Sequence, residues 1–174
     1  MKNRNNQILA VMHVLCWVAF IGLLIKGGAI LVAYGVSLFN PQASQDLYQG
    51  LNLLALRQYS FWHYSGSVSF IVAMVLLQAF IAFLVIKVLG KIKLEHPFKM
   101  EVSLLLERIG NITLATWVVA VLSNAHTKWL WKRVDGFEGE LVSVEFIFLA
   151  GVVFILSQVF KKGVDLQTEQ ELTV

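Results

Sequence analysis

Four long runs of apolar residues dominate the chain, and short segments rich in charged residues separate them. The runs cover residues 7–39, 66–89, 109–131 and 141–160. A helix needs about 20 apolar residues to cross the ~30 Å hydrocarbon core of a bilayer, and each run reaches that length. The pattern therefore predicts an all-α fold: a four-helix transmembrane bundle in one membrane domain over residues 1–174.

Composition agrees with that class. Hydrophobic residues make up 57% of the 174 positions, charged residues 14%, and mean hydropathy is +0.70. Little chain remains for a soluble domain. The one cysteine, Cys16, excludes an intrachain disulfide. A cleaved signal peptide is the alternative for the first run, which is nevertheless longer than a signal h-region and lacks an A-x-A-like site.

Basic residues predict the orientation. Eight lie on one side of the four runs and four on the other. Because cytoplasmic loops carry the excess of lysine and arginine, we expect both termini in the cytoplasm of a bacterial inner membrane. Aromatic residues mark the outer interface, where Tyr59, Phe61, Trp62 and Tyr64 precede the second run.

The first run and the loop after it are unusual in length and pattern. A helix over residues 7–39 exceeds one crossing, so it must tilt, project or break, and Gly27-Gly28 is the predicted flexible point. In the loop, Leu47, Leu51 and Leu54 follow helical spacing. This predicts a short interfacial helix over residues 44–58.

The third run is the least apolar and carries small and hydroxylated residues on one helical face. Such residues let helices approach closely and hydrogen-bond to each other, so we interpret this face as a packing surface. A polar pathway for a solute would use the same residue types and stays open as the alternative. The face consists of Thr113, Thr116, Ala120, Ser123 and Thr127.

Ionisable residues inside apolar runs need partners, because burying an unpaired charge in lipid is costly. Lys26 and Glu145 fall at similar depth in the outer leaflet, close to His126 and Asn124. We predict an outer-leaflet cluster of these four residues with a Lys26–Glu145 ion pair. Separate snorkelling of each charge to the headgroups is the alternative.

The histidines raise the question of haem. His13 and His96 lie toward the predicted cytoplasmic side, and His63 and His126 toward the outside. We interpret them as ordinary interfacial residues, because His63 and His96 lie at span boundaries rather than on facing helices. No metalloprotease, phosphate-loop or Ser/His/Asp pattern is evident. The sequence thus predicts a protein that is not an enzyme and has no cofactor or metal.

Two cytoplasmic segments carry a family resemblance. The inner loop contains Pro97-Phe98 followed by Leu106-Glu107-Arg108-Ile109-Gly110, and the last stretch runs from Phe160 to Val174 with the pattern F-x-x-G-x-x-L-Q-x-E-x-x-L-T-V. With four spans at this spacing, the chain resembles a bacterial family of small four-helix membrane proteins of unknown function. The resemblance implies no catalytic residues. It does imply a small helix-turn-helix regulator as a cytoplasmic partner, because members are often encoded beside one.

The same segments are the main parts of the chain predicted to reach the cytoplasm. Residues 100–107 are amphipathic, and Gly163 is predicted to end the fourth helix. The tail beyond it is too apolar for a solvated end, so it either folds back or presents a strand to another chain. The predicted docking residues are Phe98, Arg108, Leu166, Leu172 and Val174.

Two functions from different classes follow. The first is a non-enzymatic regulator or anchor that holds a cytoplasmic protein and does not itself bind nucleic acid. The second is a small transporter or permeability factor that uses the polar face of the third span. The lipid bilayer is the one certain partner of either, and a homo-oligomer stays open.

Overall fold

The computed structural model describes residues 2–92, 99–137 and 139–172, with the backbone only for residues 2–6 and 170–172. Over these residues the chain is helical, without strands. The elements are α1 (Lys2–Phe39), a 3-10 helix (Pro41–Gln45), α2 (Leu54–Tyr59), α3 (Phe61–Lys91), α4 (Met100–Trp131) and α5 (Ile147–Leu172).

Four of these helices are long and apolar enough to cross a membrane, which confirms the predicted all-α class. The candidate spans are Gln7–Phe39, Phe61–Lys91, Met100–Trp131 and Ile147–Glu169. As predicted, the third is the least apolar, with a mean hydropathy of 1.5 against 2.7 for the second. The most apolar window of α1 has no buried residue, as expected for a helix that faces lipid.

The predicted flexible point at Gly27-Gly28 is wrong, because α1 runs through both glycines without interruption. A Cβ atom on Gly27 would lie 3.4 Å from Cγ1 of Val75. Gly27 thus serves close approach between α1 and α3 rather than bending. At ~1.5 Å per residue, the 38 residues of α1 make a rod of about 57 Å, so the helix must tilt or project beyond the hydrocarbon.

The first loop contains two short helices where the sequence predicted one. The 3-10 helix begins after Asn40, whose side chain accepts a hydrogen bond from the backbone N–H of Gln42. The turn before α2 reverses the chain at Gln49 and Gly50, with φ values of 47° and 88°. Glycine adopts such a backbone readily, which explains why the predicted helix divides here.

Four helix ends differ from the prediction. α3 begins at Phe61 and α4 at Met100, so residues 100–107 form the first turns of α4. α5 begins at Ile147 rather than at residue 141. It then continues through Gly163 to Leu172, so the predicted helix end at Gly163 and the strand-like tail are both wrong. A glycine within a helix costs only about 1 kcal/mol, and the Leu, Gln and Glu residues that follow favour helix.

The helices contribute to two compact units. The first consists of Met1–Phe20, Ala79–Ala115 and Glu145–Val174, and the second of Ile21–Gln78 and Thr116–Val144. The core of the first unit is built on Leu84, Val88, Val102 and Ile109. The second has a larger core from α1, the first loop, α3 and the end of α4, which includes Ile30, Leu47, Leu56, Tyr64 and Leu130. The single-domain organisation stays a prediction.

Candidate functional site

Within the first unit, polar contacts hold α3, α4 and α5 together. The Lys91 ammonium lies 2.6 Å from a carboxylate oxygen of Glu101 and joins the end of α3 to the start of α4. The buried Ser103 hydroxyl donates to the backbone carbonyl of Ser157 at 2.9 Å and joins α4 to α5. These contacts hold the first turns of α4 against the end of α3 and against the middle of α5.

The first turns of α4 present one exposed stripe. Met100, Leu104 and Arg108 lie four residues apart and are all exposed, Leu104 to 57%. The opposite face, with Val102 and Ile109, belongs to the core. The four-residue spacing places the exposed residues on one side of the helix, so they form a continuous apolar and basic surface.

The end of α5 presents a second exposed surface. Leu166 is exposed to 50%, and Lys162, Asp165 and Glu169 beside it on the helix are exposed as well. Val164 and Gln167, on the other face, are half-buried. The end of α5 thus presents an exposed leucine among charged residues, beyond the lysines at 161–162.

We define the docking surface as Met100, Leu104, Arg108, Lys162, Asp165, Leu166 and Glu169 of the first unit. It contains two of the predicted docking residues, Arg108 and Leu166. The other three cannot be placed on it: Phe98 and Val174 lie outside the described residues, and only the backbone of Leu172 is described. Met100 and Leu104 were not among the named docking residues, although the sequence predicted that residues 100–107 are amphipathic.

The residues of the predicted outer cluster have contacts that the sequence did not indicate. Lys26 is exposed, and its ammonium lies 5.8 Å from the centroid of the Tyr48 ring. Glu145 is exposed in the turn before α5. Lys26 belongs to the second unit and Glu145 to the first, and their ion pair stays a prediction.

The other two residues of that cluster bind different partners. The Asn124 side chain donates to the carbonyl of Val142 at 2.7 Å and accepts from its N–H at 2.8 Å. This double hydrogen bond holds the chain after α4 in a non-helical conformation and accounts for the late start of α5. His126 contacts His63, with 3.3 Å between His63 Nδ1 and His126 Nε2.

The predicted packing face of α4 is largely covered. Thr113, Thr116, Ala120 and Thr127 are buried, and Ser123 is half-buried. The Thr113 hydroxyl donates to the carbonyl of Ile109 one turn earlier. Near this face, Gly110 lies against the backbone of α5, where an added Cβ would be 3.6 Å from the Phe154 nitrogen. In membranes, such residues allow helices to pack closely.

Arg57 organises the first loop of the second unit. Its Nη2 donates to the carbonyl of Ser37 at 3.1 Å, and its guanidinium lies 4.9 Å from the Phe61 ring and 5.4 Å from the Tyr64 ring. Tyr64 was predicted at the membrane interface but is completely buried, with its hydroxyl 2.6 Å from that of Ser37. An arginine at the end of α1 complements the negative end of the helix dipole.

An open cavity of about 620 Å³ lies in the loop after α4. Two carboxylates, Asp135 and Glu140, line it together with aromatic side chains and glycines. No group of three or more metal-ligating side chains occurs among the described residues. The lining residues are Trp131, Val134, Asp135, Gly136, Phe137, Gly139 and Glu140.

The four spans define an integral, multi-pass helical membrane protein. A family model described as "Protein of unknown function (DUF2975)" matches residues 55–174, and the chain belongs to that family. The match covers α2 to α5, including the docking surface. No curated protein and no solved structure matches the chain.

Proposed function

We propose that this protein is a membrane anchor that holds a cytoplasmic regulator on the docking surface. The observation that carries the proposal is the helical extension of α5 beyond Lys161 and Lys162, which leaves Leu166 half exposed. A lipid-facing leucine needs no explanation in a membrane helix, but lysines mark the level of the headgroups. An apolar residue exposed beyond them is available for contact with a protein surface.

The surface also fits a helix-binding partner. Leu104 and Leu166 supply apolar anchors, while Arg108 and Lys162 oppose Asp165 and Glu169 in charge. Mixed charges around apolar anchors give specificity for one partner. We propose a small helix-turn-helix transcription regulator as that partner, in agreement with the gene neighbourhood of the resembling family. Binding would keep it at the membrane and away from DNA.

Two matched leucines on one helix test the proposal. Leu166 in the extension and Leu156 in the span are exposed to 50% and 44%. The tagged full-length protein is purified in mild detergent after co-expression with a small helix-turn-helix regulator of the kind encoded beside members of the resembling family. We expect Leu166→Ala to weaken retention of the regulator about tenfold, as loss of a binding hot spot does, and Leu156→Ala to leave it unchanged.

Truncation after Gly163 gives a second measurement, because it removes only the extension of α5. We expect a stably inserted protein that no longer retains the regulator. Full retention by both the truncated protein and Leu166→Ala would refute the docking role.

Transport along the polar face of α4 is the second candidate function. The burial of Thr113, Thr116, Ala120 and Thr127 supports a packing role for that face over a pathway for solutes. Absence of an enzymatic activity also belongs to the proposal: the docking surface presents apolar and charged side chains on an exposed helix face, not a pocket of converging titratable groups.

A further inference from the structure

Two histidines from different helices meet inside the second unit. His63 is the third residue of α3, and His126 lies in the last two turns of α4. Their ring nitrogens are 3.3 Å apart, and both side chains are half-buried. On the far side of the second ring, His126 Nδ1 lies 3.5 Å from the Ser67 hydroxyl, also on α3. The pair therefore links α3 to α4 through side chains that can change charge.

The distance limits the number of protons that the pair can hold. At 3.3 Å one ring nitrogen donates an N–H and the other must accept with a lone pair. One of the two nitrogens must therefore be unprotonated. When both imidazoles carry two protons, two N–H groups and two positive charges face each other, and the contact cannot persist.

Aromatic rings surround the two imidazoles. Trp129 lies 4.9 Å from the His63 ring centroid and stacks on His126 at 6.5 Å, and Phe70 lies 5.8 Å from His126. Among the described residues, neither imidazole forms an ion pair with a carboxylate.

The neighbouring ionisable groups from α2 and from the segment after α4 add no negative charge to the site. From α2, the neutral Tyr59 ring stacks on His63 at 6.1 Å. After α4, the Arg133 guanidinium lies 4.1 Å from the centroid of Trp129, the same ring that contacts both histidines.

We propose that His63 and His126 form one proton-binding site that fastens α3 to α4 in its neutral and singly protonated states and opens when a second proton binds. Imidazole is the side chain that most readily changes its protonation state near neutral pH, so acidification would supply the second proton that opens the contact. In the predicted orientation this site faces the outside. The inference does not depend on a cytoplasmic partner.

The test is a titration of the histidine ring protons by NMR on the full-length protein in lipid nanodiscs. In the native protein we expect two separate steps for His63 and His126, the second proton binding at least tenfold more weakly than the first. The Overhauser contact between the two rings should disappear with the second step.

Single variants distinguish the effect of the second histidine on proton binding from the effect of the surroundings. In His63→Gln and in His126→Gln the remaining histidine has no second imidazole beside it. It should therefore titrate in one step and bind its proton about tenfold more tightly than the native pair binds its second proton. His13→Gln is the control, since His13 accepts a hydrogen bond from Trp17 of its own helix. It should leave both steps unchanged.

Identical one-step curves for the two rings in the native protein would overturn the proposal. So would an Overhauser contact that survives at a pH where both rings are fully protonated. Both of these readouts come from the native protein, so a variant that fails to fold does not prevent a decision.

Discussion

At the scale of single residues, the side-chain amide of Asn124 serves as the hydrogen-bond partner of a backbone segment. Asn124 makes two hydrogen bonds to the same residue, Val142, through its side-chain oxygen and nitrogen. These two bonds resemble the pair of bonds between two β-strand residues. They hold the loop before α5 in one conformation. Both hydrogen bonds depend on the amide group, since an apolar side chain of similar size offers neither a donor nor an acceptor.

We expect Asn124→Leu to destabilise the protein by about 1–3 kcal/mol, because it leaves the half-buried N–H and C=O of Val142 without partners. Asn111→Leu is the matched control on the same helix, at an exposed position, and should change stability by less than about 0.5 kcal/mol. Denaturant unfolding in detergent measures both. Equal effects of the two substitutions would contradict the structural role of Asn124.

A second residue, Gly139, lies where there is no room for a side chain. A Cβ at this position would lie 2.5 Å from Cζ of Phe137 and 2.9 Å from Cγ2 of Thr127, and both of these side chains are buried. We expect Gly139→Ala to destabilise by about 1–3 kcal/mol through overpacking. In Gly151→Ala the added methyl meets nothing within 4 Å and improves helix propensity, so its unfolding midpoint should stay equal or rise.

At the scale of the elements, a residue twenty positions after Ser37 stabilises the end of α1. Its last turn contains no basic residue, and Arg57 of α2 supplies the cation at the carbonyl of Ser37. A guanidinium that bonds a helix-end carbonyl and lies on two aromatic rings gains from the dipole, the hydrogen bond and the rings together. The first loop is thereby tied to the helix that precedes it.

We expect Arg57→Met, which keeps an apolar stem, to destabilise the protein by about 1–2 kcal/mol. The same change at Arg133, whose guanidinium lies on Trp129, should cost less than about 1 kcal/mol. Thermal unfolding of both variants in detergent provides the comparison. A smaller loss at Arg57 than at Arg133 would show that the contact with α1 contributes little.

The sequence predicted the number and class of the spans because apolar length alone determines them. It did not predict the ends of α5, since the start depends on Asn124 holding Val142 and the end depends on a glycine that the helix tolerates. The contact of His126 with His63 also escaped prediction. Which side chains meet depends on how each helix is rotated about its axis, and hydrophobicity along the chain does not fix that angle.

At the scale of the whole molecule, orientation in the membrane is the property on which the proposed function rests. The docking surface can hold a cytoplasmic regulator only if the end of α5 is inside. The distribution of basic residues predicts this arrangement, with the first loop outside. Useful labelling positions must be exposed, and Ser44 in that loop is not, since it is fully buried.

Gln45 and Thr168 are exposed, so single cysteines at these positions in a Cys16→Ala background report the topology. An impermeant thiol reagent should modify Gln45→Cys in intact cells and Thr168→Cys only after lysis. Modification in the reverse order would place the docking surface outside and exclude a cytoplasmic partner.

The unbroken course of α5 has a mechanical consequence. A helix without a hinge transmits sliding and turning along its whole length, and one residue of register corresponds to about 1.5 Å of travel and about 100° of rotation. A shift of that size in the lipid-facing part of α5 would swing Leu166 to a different side of the rod.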